Sequence, residues 1–174
     1  LGSTTYLRSL VEEEKTIKKL LKAAETAEIC AHKVESHAGI DEIMDVFQEK
    51  NGKIEVFHYG GHANSYQLLL QGKDGKSETA HAEGLTDFLS RQENLKLVFL
   101  NGCSSAEQAQ ALIQKGVPAV IGTKWNINDK VASLLAERFY KGLTRGLTIK
   151  RAFQEATDQV HAKHGQANLR DLYW

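Results

Sequence analysis

Two short runs of this chain are apolar at every position. Leu97-Val98-Phe99-Leu100 shows no alternation before Asn101-Gly102-Cys103, and Pro118-Ala119-Val120-Ile121-Gly122 behaves the same way. A half-buried strand alternates apolar and polar residues, because successive side chains point to opposite faces. A run without alternation marks a strand buried on both faces, and such strands belong to parallel sheets covered by helices. The rest of the chain must then supply those helices, and it does.

Leu7, Leu10, Val11, Ile17, Leu20 and Leu21 make an amphipathic helix stripe from Thr5 to about Ala24, with Thr4 or Thr5 as its cap. Ala27 to Val34 reads as a short strand with Ile29 and Cys30 inside. Ile40 to Gln48 is a second helix, with Ile40, Ile43, Met44 and Phe47 on one face and Asn51-Gly52 as its stop. Ile54 to Tyr59 is a strand running through Gly60-Gly61 to His62. Tyr66 to Gln71 is a further strand, and the turn Gly72 to Lys76 makes it half of a hairpin. A short helix from His81 to Leu89 precedes the Cys103 strand, and Ala106 to Lys115 is helical after it. Asn128 or Asp129 caps a long helix to about Leu143, and Thr148 starts the last one, through about His161. Strands alternating with helices predict an α/β fold with a mostly parallel central sheet and helices on both faces.

Composition narrows the class. At 174 residues the chain is the size of one domain with a real core. The net charge is zero and the pI near 7.2, so no basic field favours nucleic acid. Glu12-Glu13-Glu14 and Lys18-Lys19 read as one solvated helix face. Two cysteines, Cys30 and Cys103, are no disulfide framework and fit a reducing, cytoplasmic compartment. There is no run long enough to span a membrane and no signal-peptide pattern. Leu1-Gly2-Ser3-Thr4 looks like a cut end.

Open α/β sheets place their chemistry at the carboxyl ends of the strands. One such end delivers the Cys103 thiol and another the His62 imidazole. A thiol attacks a carbonyl only as the thiolate, and an adjacent imidazole or a helix start promotes that form. The helix after Ser104-Ser105 aims its positive end back toward Cys103. Backbone N–H groups of Ala63 and Cys103 are placed to stabilise an oxyanion. Gly60 and Gly61 free the first turn, and Gly102 gives the thiol room on the second. His58 supports the sheet or orients His62. Taken singly, a cysteine in an apolar strand is more often core, Trp125 more often core, and Asp129 more often a cap. A zinc site of His58, His62 and Cys103 is the weaker reading, because Tyr59-Gly60-Gly61 opposes the helix that would align two histidines four apart.

Three motifs in order, His58-Tyr-Gly-Gly-His-Ala63, Leu97-Val-Phe-Leu-Asn-Gly-Cys-Ser-Ser105 and Gly116-Val-Pro-Ala-Val-Ile-Gly-Thr-Lys-Trp-Asn-Ile-Asn-Asp129, resemble the CHAT domain family of caspase-like and separase-like cysteine proteases. Phe139 to Leu143, the helix around Ala152 and Ala156, and Tyr6 to Leu21 extend the likeness over nearly the whole chain. The resemblance implies a single domain over residues 1–174, folded as a three-layer caspase-like sandwich. It also implies a longer parent chain, since the family's first strand is missing before Leu1. His62 matches the family's general acid/base and Cys103 its nucleophile, with no metal or organic cofactor. Oxyanion donors fall on Cys103 and on Ala63, where the family usually has glycine. Trp125 to Asp129 matches the loop lining the specificity pocket. Several acids there read a basic P1 residue in separase-like relatives, and here Asp129 stands alone. Partners implied are a protein or peptide substrate and an attached sensor or repeat domain.

The leading expectation is therefore a cysteine endopeptidase with a Cys103–His62 dyad. A catalytically inactive caspase-like interaction module is the alternative. A redox-sensing thiol is weaker, because no resolving cysteine lies near in sequence.

Overall fold

The computed structural model describes residues 3–64, 66–71, 76–123, 129–165 and 172–173. They fall into two compact units. One is formed by residues 1–36 and 127–170, the other by residues 37–126 and 171–174.

The second unit carries the main sheet. Strand β1 (Val56–Gly60) pairs in parallel with β5 (Leu97–Asn101), and β5 pairs in parallel with β6 (Ala119–Thr123). A short β7 (Leu172–Tyr173) adds antiparallel to β6, giving the order β1-β5-β6-β7. All five residues of β5 are buried, as the lack of alternation in Leu97 to Leu100 requires. Their side chains divide between the two faces. Val98 and Leu100 join a core cluster with Tyr59, Leu112 and Val120, while Leu97 and Phe99 point the other way. Helices α2 (Ile40–Lys50), α3 (Ala82–Ser90) and α4 (Ala106–Gln114) contribute Phe47, Leu89 and Leu112 to that cluster. Phe47 stacks edge-on against Phe88 at 5.3 Å and tilts against Phe57 at 6.0 Å. This is the α/β class with a mostly parallel sheet flanked by helices that the apolar runs predict.

A second sheet of three antiparallel strands grows out of the end of β1. It contains β2 (Ala63–Asn64), β3 (Gln67–Gln71) and β4 (Ser77–His81) in that order. β3 and β4 form the expected hairpin. The strand β4 occupies His81, so α3 starts one residue later than the sequence pattern suggests. Helix α2 ends at Asn51, whose φ of 43° is left-handed, as the Asn-Gly stop predicts.

The first unit is helical. Helix α5 (Asp129–Leu143) packs along both α1 (Ser3–Thr26) and α6 (Ile149–His164). Thr148 caps α6 through a 3.2 Å bond from the Arg151 amide. Three sequence expectations fail in this unit. α1 already includes Thr4 and Thr5, so neither caps it. Glu13, assigned to a solvated face, is only 6% exposed and accepts a 3.1 Å bond from the Ser133 hydroxyl, while Val11 is half exposed. The strand expected over Ala27 to Val34 does not form either. Its first residues close α1 instead, with Glu28 N–H donating to Glu25 O, Ile29 N–H to Ala24 O, and Glu28 at a φ of 58°. That double bond pattern is a Schellman motif, and it leaves Ile29 58% exposed rather than inside.

Candidate functional site

Strands β1 and β5 run side by side in register, from Val56 opposite Leu97 to Gly60 opposite Asn101. Two residues past that last pair, the count reaches His62 on one strand and Cys103 on the other. The strands stay joined there, since the Gly61 amide donates to the Asn101 carbonyl at 3.3 Å. The turns that follow are in direct contact. A Cβ added at Gly102 would lie 2.8 Å from the Gly61 carbonyl oxygen and 2.9 Å from the Ala63 Cβ. His62 is exposed and Cys103 half-buried, so both are open to a ligand at the carboxyl edge of the sheet.

The glycines work differently from the sequence expectation. Gly60 is the last residue of β1, and neither it nor Gly61 has a left-handed φ. Gly61 is required for space: a Cβ there would run into the Tyr59 hydroxyl. The left-handed residue of the site is Ser104, at a φ of 55°, which turns the chain from Cys103 into α4.

Three side chains that the sequence reading passed over hold the two turns. Tyr59 is buried, and its hydroxyl donates toward the carbonyls of His62 at 2.6 Å and Leu69 at 2.8 Å. The His62 carbonyl also accepts from the Leu69 amide at 2.8 Å. His62 is thereby tied to β3 at its backbone, and the residue is exposed to solvent. On the other turn, the fully buried Ser105 hydroxyl donates to Leu100 O at 3.1 Å and accepts from the Thr123 amide at 3.0 Å. The Thr123 hydroxyl donates to the Gly102 carbonyl at 2.6 Å. β6 therefore grips the residue immediately before Cys103. Each of these bonds joins a buried side-chain hydroxyl to a backbone carbonyl or amide of the turns. A Tyr in an apolar strand and a Ser before a helix carry no periodic signal that would have revealed this. A Ser just before α4 and a Thr at the end of β6 were the available clue.

Ala63 opens β2 opposite Leu68. Because His62 and Leu69 form the hydrogen-bonded pair, the next pair is the open kind, and the Ala63 amide points away from β3. The Ala63 methyl, in place of the glycine usual in the resembled family, packs against Gly102. Helix α4 starts at Ala106, three residues after Cys103, as expected. His58 stacks its ring on Phe99 at 4.8 Å, on the face opposite Phe57 and Tyr59, which suits support of the sheet. Trp125 lies outside the described residues, as does the side chain of Asp129, the first residue of α5. Cys30 sits in the other unit, where burial and then the nearby Glu25 carboxylate push its thiol above the ordinary range. No group of three or more metal-binding side chains occurs among the described residues. No described helix is long and apolar enough to cross a membrane.

The family model of the CHAT domain matches residues 3–174. No curated protein matches the chain.

Proposed function

The chain belongs to the CHAT domain family, a caspase-like family related to peptidases, and on that premise we propose that it is a cysteine endopeptidase acting through Cys103 and His62. The observation that carries this reading is the parallel register of β1 and β5, which ends with His62 and Cys103 on two touching turns. Chemistry at this edge needs a nucleophile and a base delivered by neighbouring strands, and these are the two side chains delivered.

In the proposed reaction the Cys103 thiolate attacks the scissile carbonyl and forms a C–S bond. The carbonyl oxygen, now negative, is met by the backbone amides of Ala63 and Cys103. His62 gives its proton to the leaving amine as the C–N bond breaks, leaving a thioester on Cys103. His62 then takes a proton from water as its oxygen attacks the thioester. The C–S bond breaks, releasing the new carboxylic acid and restoring the thiolate–imidazolium pair. His58, Gly61 and Gly102 support the turns. By its likeness to the family, Trp125 and Asp129 would select the residue before the cleaved bond, with a basic preference resting on Asp129. An attached sensor or repeat domain would control access.

The test is cleavage of a mixture of internally quenched peptides by the wild-type chain, with Cys103→Ala and His62→Ala in parallel. Cleavage lost in both variants supports an endopeptidase. Cleavage that survives Cys103→Ala rules out Cys103 as the nucleophile, and no cleavage in a chain whose Cys103 is unreactive favours a non-catalytic interaction module.

A further inference from the structure

The small antiparallel sheet has a buried face and an open one. Its register sets Leu68 between Ala63 and Ala80, and both Leu68 and Ala80 are only 1% exposed. The next row faces the opposite way, because successive residues of a strand alternate. Leu69 lies opposite Thr79 on β4, and one step along the β2–β3 register it lies opposite His62. The 2.8 Å bond from the Leu69 amide to the His62 carbonyl marks that pairing. His62, Leu69 and Thr79 thus form one row across the open face, and all three residues are exposed.

An antiparallel sheet with one face in water keeps polar residues on that face. The other open-face positions described on β3 and β4 obey this, with Gln67, Ser77, Thr79 and His81. Leu69 breaks the pattern, at 44% exposure, and it does so at the position of β3 opposite the candidate base. A single exposed leucine is ordinary on a protein surface. This one is set apart by its place and by how firmly that place is held. The Tyr59 hydroxyl spans the carbonyls of His62 and Leu69, at 2.6 and 2.8 Å, beside the direct amide bond between the two residues. Opposite residues in a hydrogen-bonded pair have Cα atoms about 5.5 Å apart. An apolar surface is therefore fixed one side chain away from the imidazole.

We propose that Leu69 determines specificity by meeting an apolar side chain on the residue that follows the cleaved bond. The assignment rests on the endopeptidase reading for the reaction, and on the His62–Leu69 pair for the residue selected. In that reaction His62 protonates the leaving amine, so the amine comes within hydrogen-bond reach of the imidazole. The following residue carries that amine on its Cα, and its side chain branches from the same atom. The preceding residue is bonded instead to the carbon that Cys103 attacks. An apolar side chain laid on Leu69 takes both surfaces out of water, which favours leucine, isoleucine, methionine or phenylalanine over serine or glycine at that position.

The test is digestion of a fully randomised peptide library by the wild-type chain, with the new amino termini of the products identified by mass spectrometry. Cys103→Ala is the blank. The expected result is enrichment of leucine, isoleucine, methionine and phenylalanine at the new amino termini. Leu69→Thr suits a strand and keeps the backbone bonds, and it should reduce that enrichment roughly fivefold to tenfold, the order of one leucine contact. Leu69→Gln, which matches its polar neighbours, should do the same, and Leu69→Met should restore the enrichment. Each preference is measured within one digest, so a merely structural role would slow all cuts alike and leave the preference intact. A preference absent from the wild-type chain, or unchanged in Leu69→Thr and Leu69→Gln, overturns the assignment and leaves the endopeptidase reading standing. A library left uncut, or cut equally by Cys103→Ala, contradicts that reading and this assignment with it.

Discussion

Gly102 lies so close to the Gly61 carbonyl that a side chain at position 102 would sit 2.8 Å from that oxygen. The contact is backbone against backbone, so no flexible side chain can give way. It binds the turn carrying His62 to the turn carrying Cys103, and the distance between imidazole and thiol depends on it. Gly102→Ala must push the turns apart. The expected cost is about 1–3 kcal/mol of stability, measured by urea unfolding, from overpacking a closed contact. Cys103 reactivity should fall with it, while the fold, read by far-UV circular dichroism, persists.

Tyr59 ties the His62 carbonyl to β3 through its hydroxyl. Tyr59→Phe keeps the ring in the core and removes only the oxygen. The His62 carbonyl retains the Leu69 amide, so the expected loss is about 1 kcal/mol, the net value of one hydrogen bond. Tyr59 acts through His62, so its loss should slow alkylation of Cys103 at neutral pH. At high pH, where the thiol ionises without help, the difference should vanish. A merely structural role would slow neither or both.

Ser105 satisfies two buried backbone groups with one hydroxyl. Ser105→Ala leaves the Leu100 carbonyl and the Thr123 amide without that partner, at a cost of about 1–3 kcal/mol. Thr123→Val removes the bond to Gly102 alone and should cost less. Thermal unfolding of the two variants checks the order.

Much of this arrangement is legible in the chain itself, and the remainder has identifiable reasons for being hidden. β5 could be read because burial on both faces abolishes alternation over Leu97 to Leu100. The pairing of His62 with Cys103 follows once two such strands are parallel neighbours. Tyr59, Ser105 and Thr123 were hidden because their bonds reach Leu69 ten residues on, Leu100 five back, Ser105 eighteen back and Gly102 twenty-one back, and the one short bond, from Tyr59 to His62, spans a turn. Such bonds are fixed by tertiary placement, and no local period reports them. Ala27 to Val34 misled for the opposite reason. Its apolar spacing resembles a strand, but the backbone donors of Glu28 and Ile29 are taken by the end of α1. Glu13 misled because a charged run was treated as a unit, when the helix turns its middle residue inward toward Ser133.

The Cys30 thiol should react only at raised pH. Burial and the Glu25 carboxylate both raise the Cys30 thiol, so less of it is thiolate at neutral pH. Iodoacetamide should therefore modify Cys30 slowly at pH 7 and faster only as the pH rises past the ordinary thiol range. Removing the carboxylate with Glu25→Gln lowers that threshold and should speed the reaction at fixed pH. Peptide mapping by mass spectrometry follows each site separately.

The central claim is that His62 activates Cys103. The most direct measurement is the rate at which a peptidyl acyloxymethyl ketone labels Cys103 at pH 7, in the wild-type chain and in His62→Ala, with Cys30 as the internal reference. The account predicts that Cys103 labels far faster than Cys30 and loses about 10²-fold or more without His62, the order of a positioned acid–base group. If Cys103 labels no faster than Cys30, or if His62→Ala leaves its rate unchanged, the two touching turns do not form a catalytic dyad.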